Sequence, residues 1–518
     1  MSGPIEDALV PPILAEPGPA VSTSEVAKGA GLAALSRLGA LIEVIAQPAY
    51  TWMFGLTGYG VYVVLWAAIN ILATIFDPAM GQALQRIVPS ENDPVRQHGA
   101  VRFALLTGTG LGCVAALVIS LLAPWLASFV ATAPDETAEL PQAIALFAWS
   151  LPLWIFVEIA TAAARAKRAF GPEIRLRIFW EQVMRLIFAA GFFVAGFGLT
   201  GLLLGHMLSL AMTAILSGQL LARYYDARLL LSAPMPQVTR AAVLASGAAM
   251  MPPAIARRAY NDLPPILLNL MIPGAAGAAA AALFGIARKI ASIPLIVRQS
   301  FLYVLSPLAS AQAAVDRTAM LPMYRFSTHM SLLLTVPLAG LMILIASDLL
   351  SAFAPGSAAA LPVLVILLAA RAGEAVIGPA TPIVEMVGHR ALPLLNSVIG
   401  LALWLGLALW LVPAQGALGM AISVSVAVVV TAWAAVVELK VSDRLTPFGT
   451  GFWRAVAAGA ITVAVLWLAG EALAPLGATV RAVGLFALFW PLLWLGLRFG
   501  LAGDDKAALG KFGRSLNL

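Results

Sequence analysis

The chain has 518 residues, of which 61% are apolar and only 11% charged, and its mean hydropathy is +0.93. Soluble domains average about 45–50% apolar and about 25% charged residues, so an ordinary soluble enzyme, a disordered chain and a secreted disulfide scaffold are excluded. One cysteine, Cys113, rules out disulfides and thiolate metal clusters. The formal charge of +6 reads as membrane orientation and attraction to anionic headgroups rather than nucleic-acid binding.

Residues 1–27 carry Pro4, Pro11, Pro12, Pro17 and Pro19. They lack the basic start, apolar stretch and cleavage site of a signal peptide, so a polar N-terminal tail is expected. A bilayer core needs about 20 consecutive apolar residues per helix. On that basis fourteen spans are predicted, at roughly 29–53, 60–84, 103–123, 141–164, 178–197, 201–222, 243–270, 277–305, 329–349, 361–386, 391–412, 418–438, 452–472 and 480–498. These runs are too long and too uniformly apolar for the alternating strands of a membrane β-barrel. The predicted fold is an all-α polytopic membrane protein.

The loops after even-numbered spans hold the bases: Arg86 and Arg96; Arg165, Lys167, Arg168, Arg175 and Arg177; Arg223, Arg228 and Arg240; Arg317 and Arg325; Arg390; Lys440 and Arg444. The odd-numbered loops are nearly free of Lys and Arg, with Arg481 the exception. The longest, from Pro124 to Pro141, contains Asp135, Glu136 and Glu139 and no base. The positive-inside rule then places both termini in the cytoplasm, which requires an even number of spans.

Two halves resemble each other. Leu56-Thr57-Gly58-Tyr59-Gly60-Val61-Tyr62 joins predicted spans 1 and 2, and Ile272-Pro273-Gly274-Ala275-Ala276-Gly277-Ala278 joins spans 7 and 8. Two six-helix lobes are expected, an N-lobe at 28–222 and a C-lobe at 241–440, joined by a cytoplasmic linker at 223–240. Spans 13 and 14 occupy 441–500 outside the repeat, and a cytoplasmic tail at 501–518 follows. Repeated bundles of this kind place a transport pathway at their interface.

The 56–62 segment resembles the LGPxxYGxYaL turn of the polysaccharide-transport branch of the MOP exporter superfamily. Val387-Gly388-His389-Arg390, Asn396 and the stretch Leu411-Val412-Pro413-Ala414-Gln415-Gly416-Ala417-Leu418-Gly419-Met420-Ala421 are similar to that family's aaGr…n…LiPxyGaxGaa pattern. The similarity runs over most of 28–440. The Pro273–Gly277 turn departs from the pattern by lacking the usual aromatic residue, and fourteen spans also occur in MurJ-type lipid II flippases. The resemblance implies a Wzx-like flippase that moves a polyprenyl-diphosphate-linked oligosaccharide across a bacterial inner membrane by alternating access. Such a protein serves exopolysaccharide or O-antigen biosynthesis beside a polysaccharide polymerase and export machinery.

Ionisable residues within the spans give an independent argument, because each costs a few kcal/mol at a helix centre unless it faces water or a partner. Span 7 carries Arg257, Arg258 and Asp262, span 8 carries Arg288, Lys289 and Arg298, and span 10 carries Arg371 and Glu374. Arg258–Asp262 and Arg371–Glu374 have i,i+4 and i,i+3 spacing and can share a helical face. Arg257, Arg288, Lys289 and Arg298 have no such local partner. Arg288 and Arg371 fall about ten residues, ~15 Å, from the nearer external end, close to the midplane. A cation cluster at that depth suits a lipid diphosphate, which guanidinium groups bind in bidentate fashion. Arg257, Arg258, Arg288, Lys289, Arg298 and Arg371 are therefore the substrate-binding candidates. Arg37, Glu43, Asp77, Asp262 and Glu374 are the candidates for coupling or gating, with H+ or Na+ as the coupling ion. For Glu43 and Asp77 a salt bridge to Arg37 or to a base of the other lobe is an equal alternative.

Pro252-Pro253 and Pro264-Pro265 flank the basic pair and predict kinks in span 7. Gly108-Thr109-Gly110-Leu111-Gly112 has no strand before it and no Gly-Lys-Ser after it, so close helix packing is expected there rather than nucleotide binding. With no ATPase motif, no cofactor site and no sizeable catalytic loop, a transporter is favoured over a membrane glycosyltransferase or polymerase. A MATE-type cation exporter is the nearest rival, and it calls for an acidic rather than a basic cavity.

Overall fold

In a bilayer every backbone N–H and C=O must be satisfied within the protein, which leaves helices as the economical solution for apolar runs of this length. The computed structural model describes residues 40–167, 174–299, 317–386, 391–515 and 517. The predicted N-terminal tail, Arg37 and the Val387–Arg390 motif lie outside them. The described residues contain no strand. Nine of their helices are long and apolar enough to cross a membrane, or up to 11 when two bent pairs count as one span each.

Two of these helices contain two crossings each. In Ala40–Phe76 the helix breaks at Gly55, whose φ of 71° and ψ of 169° are not helical. Glu43, Gln47 and Tyr50 share one small cavity with Ala67, Val63 and Tyr59. Glu43 and Ala67 each lie 12 residues from Gly55, and Gln47 and Val63 each lie 8, so the chain reverses there. Ala391–Ser442 breaks likewise at Gly416, with φ 54°, and Asn396 donates to the Glu438 carboxylate at 2.8 Å from the far end of the hairpin. Only glycine adopts such a positive φ without a Cβ clash. With these two hairpins resolved, and with the segment Ile174–Trp180 plus Glu181–Val194 counted as span 5, the crossings reach the predicted fourteen. The reversal at Gly55 places Leu56–Tyr62 at the start of span 2 rather than in the connection between spans 1 and 2.

The N-lobe and C-lobe meet along spans 1–2 and 7–8. A Cβ on Gly60 would stand 1.9 Å from the carbonyl oxygen of Ala278, and one on Gly285 would stand 3.1 Å from Val63. At the face carrying the odd-numbered loops, Asn269 and Ala131 exchange two hydrogen bonds, of 2.9 Å and 2.8 Å. There the Trp52 indole also donates to the Ala352 carbonyl at 2.9 Å. At the opposite, basic face, Gly247 of span 7 packs against the carbonyl of Pro78.

Span 7 bends by 48° between Gln237–Pro252 and Ala254–Met271. Pro264-Pro265, by contrast, lies in a helix that continues to Met271. The glycine run in span 3 serves close packing at two of its three glycines. A Cβ at Gly108 would meet Ile159 at 2.5 Å and one at Gly112 would meet Ile155 at 2.9 Å, whereas Gly110 faces open space.

Spans 13 and 14, Thr450–Leu473 and Ala478–Gly500, are the two extra C-terminal helices. Phe452, Ala455 and Leu497 join Met323, Phe326 and Met330 of span 9 in one apolar cluster. Trp467, Leu468, Phe486 and Trp490 project outward, exposed, as a lipid-facing surface requires. The terminal helix Gly503–Ser515 is held by a buried contact at 2.8 Å between His329 Nδ1 and Asp505 and by insertion of Leu509 into the same cluster.

Candidate functional site: a basic cavity between the lobes

Span 2 stops at Phe76, short of the predicted 84. The sequence Asp77-Pro78-Ala79 interrupts it, and Ala79 takes a left-handed conformation with φ 52°. Proline at 78 cannot donate a hydrogen bond back to span 2. The Asp77 carboxylate instead accepts from the Met80 N–H at 3.0 Å, which caps a new helix, Met80–Ser90. Asp77 thus stands at an elbow after span 2 rather than within it. The new helix buries Met80, Ala83, Leu84 and Val88 and turns Gln82 and Gln85 the other way.

That elbow forms one wall of an interlobe cavity of about 390 Å³. Thr74, Asp77, Gln82, Gln85, Glu158, Arg165 and Arg177 line it from the N-lobe, and Arg257, Arg258 and Asn261 from span 7. Four guanidinium groups therefore face two carboxylates. One carboxylate, Glu158, is engaged by Arg177 at 3.1 Å, and the Arg177 guanidinium also lies 4.6 Å from the centre of the Trp154 ring. Arg258 donates to the Thr74 hydroxyl at 3.2 Å.

A second, smaller cavity of about 40 Å³ lies beside it, lined by Glu43, Tyr50, Tyr62, Arg185, Asp262, Arg288 and Lys289 among others. Asp262 stands between two cations, 3.6 Å from Arg258 of the large cavity and 3.7 Å from Arg288 of the small one. Lys289 crosses the lobe boundary to Glu43 at 2.5 Å. Arg185, buried in the N-lobe, pairs with Glu181 and donates to the Tyr62 hydroxyl.

The substrate-binding candidates divide into three places. Arg257 and Arg258 line the large cavity, and Arg288 and Lys289 line the small one. Arg298 and Arg371 converge on the buried carboxylate of Glu374, the latter at 2.6 Å. The local pairs Arg258–Asp262 and Arg371–Glu374 form as their spacing predicts. Three cations without a local partner gain one from another helix: Arg288 from Asp262, Lys289 from Glu43 and Arg298 from Glu374. Among the coupling candidates, Glu43, Asp262 and Glu374 are all ion-paired, and Asp77 caps a helix.

Sequence reasoning missed Gln82, Gln85, Glu158, Arg165 and Arg177 as cavity residues. Arg165 and Arg177 read as loop bases by the positive-inside pattern. The one local signal was Asp77-Pro78, a helix-interrupting dipeptide inside an apolar run.

Two six-helix lobes flank this charged cavity. No protein-family model and no curated protein matches the sequence, but solved structures of MurJ and MATE transporters match the fold. The lipid II flippase MurJ, in an inward closed conformation, aligns with a TM-score of 0.70 at 11% identity, over 90% of this chain and 99% of its own. The Vibrio cholerae MATE transporter VcmN aligns with a TM-score of 0.60 at 16% identity, over 82% of this chain and 98% of its own. A MOP superfamily transporter from Pyrococcus furiosus, for which reverse polarity of the binding pocket suggests a different function, aligns with a TM-score of 0.57 at 11% identity, over 80% and 95% of the two chains. At these identities the likeness is one of fold.

Proposed function

We propose that the protein is a flippase for a polyprenyl-diphosphate-linked oligosaccharide, acting by alternating access in a bacterial inner membrane with both termini cytoplasmic. The observation that carries this reading is the pair Arg257 and Arg258 on an interlobe cavity lined by four guanidinium groups. Guanidinium groups bind phosphate oxygens in bidentate fashion, so the two arginines suit a diphosphate, and the polyprenyl chain would remain in the lipid. The basic loops at one face and the acidic 135–139 segment at the other support the orientation. A MATE-type exporter of cationic drugs would bring a cation into a cavity where four guanidinium groups outnumber two carboxylates, which disfavours that reading.

Lys289–Glu43 and Arg288–Asp262 are proposed as the contacts that change between the two access states, with H+ or Na+ balancing the freed carboxylates. Arg298 and Arg371, held by Glu374, are assigned to a second basic position in the C-lobe that the headgroup meets later in the cycle.

A second reading, a lipid II flippase of the peptidoglycan pathway, is favoured by one observation: the MurJ structure aligns over 90% of this chain and 99% of its own. Deleting the gene and identifying the lipid-linked saccharide that accumulates in the cytoplasmic leaflet separates the two. An exopolysaccharide or O-antigen repeat unit supports the first reading, and lipid II the second. Arg257→Ala and Arg258→Ala should each reduce complementation of the deletion at least tenfold, and full complementation by both would overturn the diphosphate assignment.

A further inference from the structure

The two walls of the large cavity differ in chemistry, and the sequence supplies no packing reason for the difference. The span 7 wall presents two guanidinium groups beside Asn261, whose amide is turned to the Arg257 carbonyl at 3.0 Å, whereas the Met80–Ser90 wall presents two carboxamides, Gln82 and Gln85, and no charge. These are spaced i,i+3 and so share one helical face, opposite the face that buries Met80, Ala83, Leu84 and Val88. Both side chains are exposed, and Gln85 has only a long contact of 3.3 Å to its own helix, at the Gly81 carbonyl.

The elbow that aims them is costly. Ala79 lines the cavity at a positive φ of 52°, a conformation that residues with a Cβ enter at some expense and that persists where surroundings impose it. Three features impose it here: Pro78, the Asp77 cap on Met80, and the packing of Gly247 on the Pro78 carbonyl. Gly81, also on the cavity, has Ala162 3.0 Å from where its Cβ would lie, so the helix is seated tightly on span 4.

A carboxamide offers a donor and an acceptor together and carries no charge. That pair complements vicinal sugar hydroxyls and the acetamido group of an N-acetylated sugar, which both donate and accept, whereas a phosphate, which accepts only, would use the amide N–H groups and leave the amide oxygen without a donor. A cavity of about 390 Å³ is within the usual range for one small-molecule ligand. It suits a diphosphate and the one sugar attached to it, not an extended glycan.

Resting on the diphosphate assignment above, we infer that Gln82 and Gln85 form a subsite for the first sugar of the lipid-linked saccharide. They read its hydroxyl and acetamido groups while Arg257 and Arg258 hold the diphosphate. The subsite makes the Met80–Ser90 helix a specificity element, and the sugars beyond the first lie outside it.

The test uses the full-length protein in lipid nanodiscs with two probes, farnesyl diphosphate and farnesyl-diphospho-N-acetylglucosamine. Wild type should bind the glycosylated probe about tenfold more tightly. Gln82→Ala/Gln85→Ala should bring that ratio to about one and leave affinity for the bare diphosphate unchanged. The substituted side chains are exposed, so melting temperature should not move, and Gln82→Asn/Gln85→Asn should restore part of the preference. A tenfold ratio retained by the double alanine variant overturns the sugar subsite. Arg257→Ala/Arg258→Ala should weaken both probes equally. If it weakens neither while the glutamine variant still loses its preference, the diphosphate assignment fails and the sugar subsite stands. Wild-type protein that binds neither probe overturns both.

Discussion

The Nζ of Lys289 on span 8 donates to a carboxylate oxygen of Glu43 on span 1 at 2.5 Å, across 246 positions of sequence. Each belongs to a different lobe, so the bond joins the two bodies that alternating access would move apart. Each is also a charge in a membrane span that would be expensive alone. Pairing therefore stabilises this arrangement, and any movement that separates the two lobes here must supply another partner to both groups.

We predict that Glu43→Gln and Lys289→Met each lower the melting temperature of the purified protein. Combined in a double-mutant cycle, they should show a coupling energy of about 1–2 kcal/mol, as expected for a partly exposed charged hydrogen bond. Denaturant or thermal unfolding in detergent measures it. A coupling near zero would mean that the pair is incidental.

Glu374 serves two arginines at once, Arg298 and Arg371, and is itself buried. Removing one carboxylate leaves two cations unpaired, whereas removing either arginine leaves the other pair intact. Glu374→Gln should therefore cost about 3–5 kcal/mol, the range for breaking a buried pair. Arg371→Met should cost distinctly less. Unfolding midpoints of the two variants, compared under the same conditions, check the order.

Two glycines separate close packing from mere occurrence in an apolar run. A Cβ at Gly60 would fall 1.9 Å from a backbone oxygen of the other lobe, and a backbone cannot step aside as a side-chain tip can. Gly60→Ala should destabilise by about 1–3 kcal/mol through overpacking. Gly110 has nothing within 4 Å, so Gly110→Ala should stabilise by about 0.5–1 kcal/mol through helix propensity. Opposite signs of the two melting shifts are the expected result.

Glu136 lies in the loop between spans 3 and 4, where burial raises its pKa above the ordinary value of 4.5 despite a hydrogen bond from Thr132. A carboxyl with a raised folded-state pKa favours the fold in its protonated form. Its contribution is complete below the ordinary carboxylate pKa and is lost as pH rises through the higher folded-state value. Glu136→Gln, which mimics the protonated group, should melt above wild type at pH 7, and the gap should close near pH 4. Thermal unfolding at the two pH values measures it.

Hydropathy and charge alone determined the helical class, the fourteen crossings, the alternation of loops rich and poor in Lys and Arg, and the local ion pairs Arg258–Asp262 and Arg371–Glu374. These depend on the length of apolar runs and on spacing within one helix, both of which are properties of contiguous residues. Only the tertiary structure decided that Lys289 meets Glu43, that Arg298 shares Glu374 with Arg371, and that Arg165 and Arg177 line a cavity rather than a loop surface. Each of those facts depends on how separate helices cross, and no local pattern encodes a distance between residues far apart in the chain. The elbow at Asp77–Ala79 falls between the two cases. Its proline was visible in the sequence, but the apolar residues on either side hid the break, because a bent helix and a straight one bury the same composition.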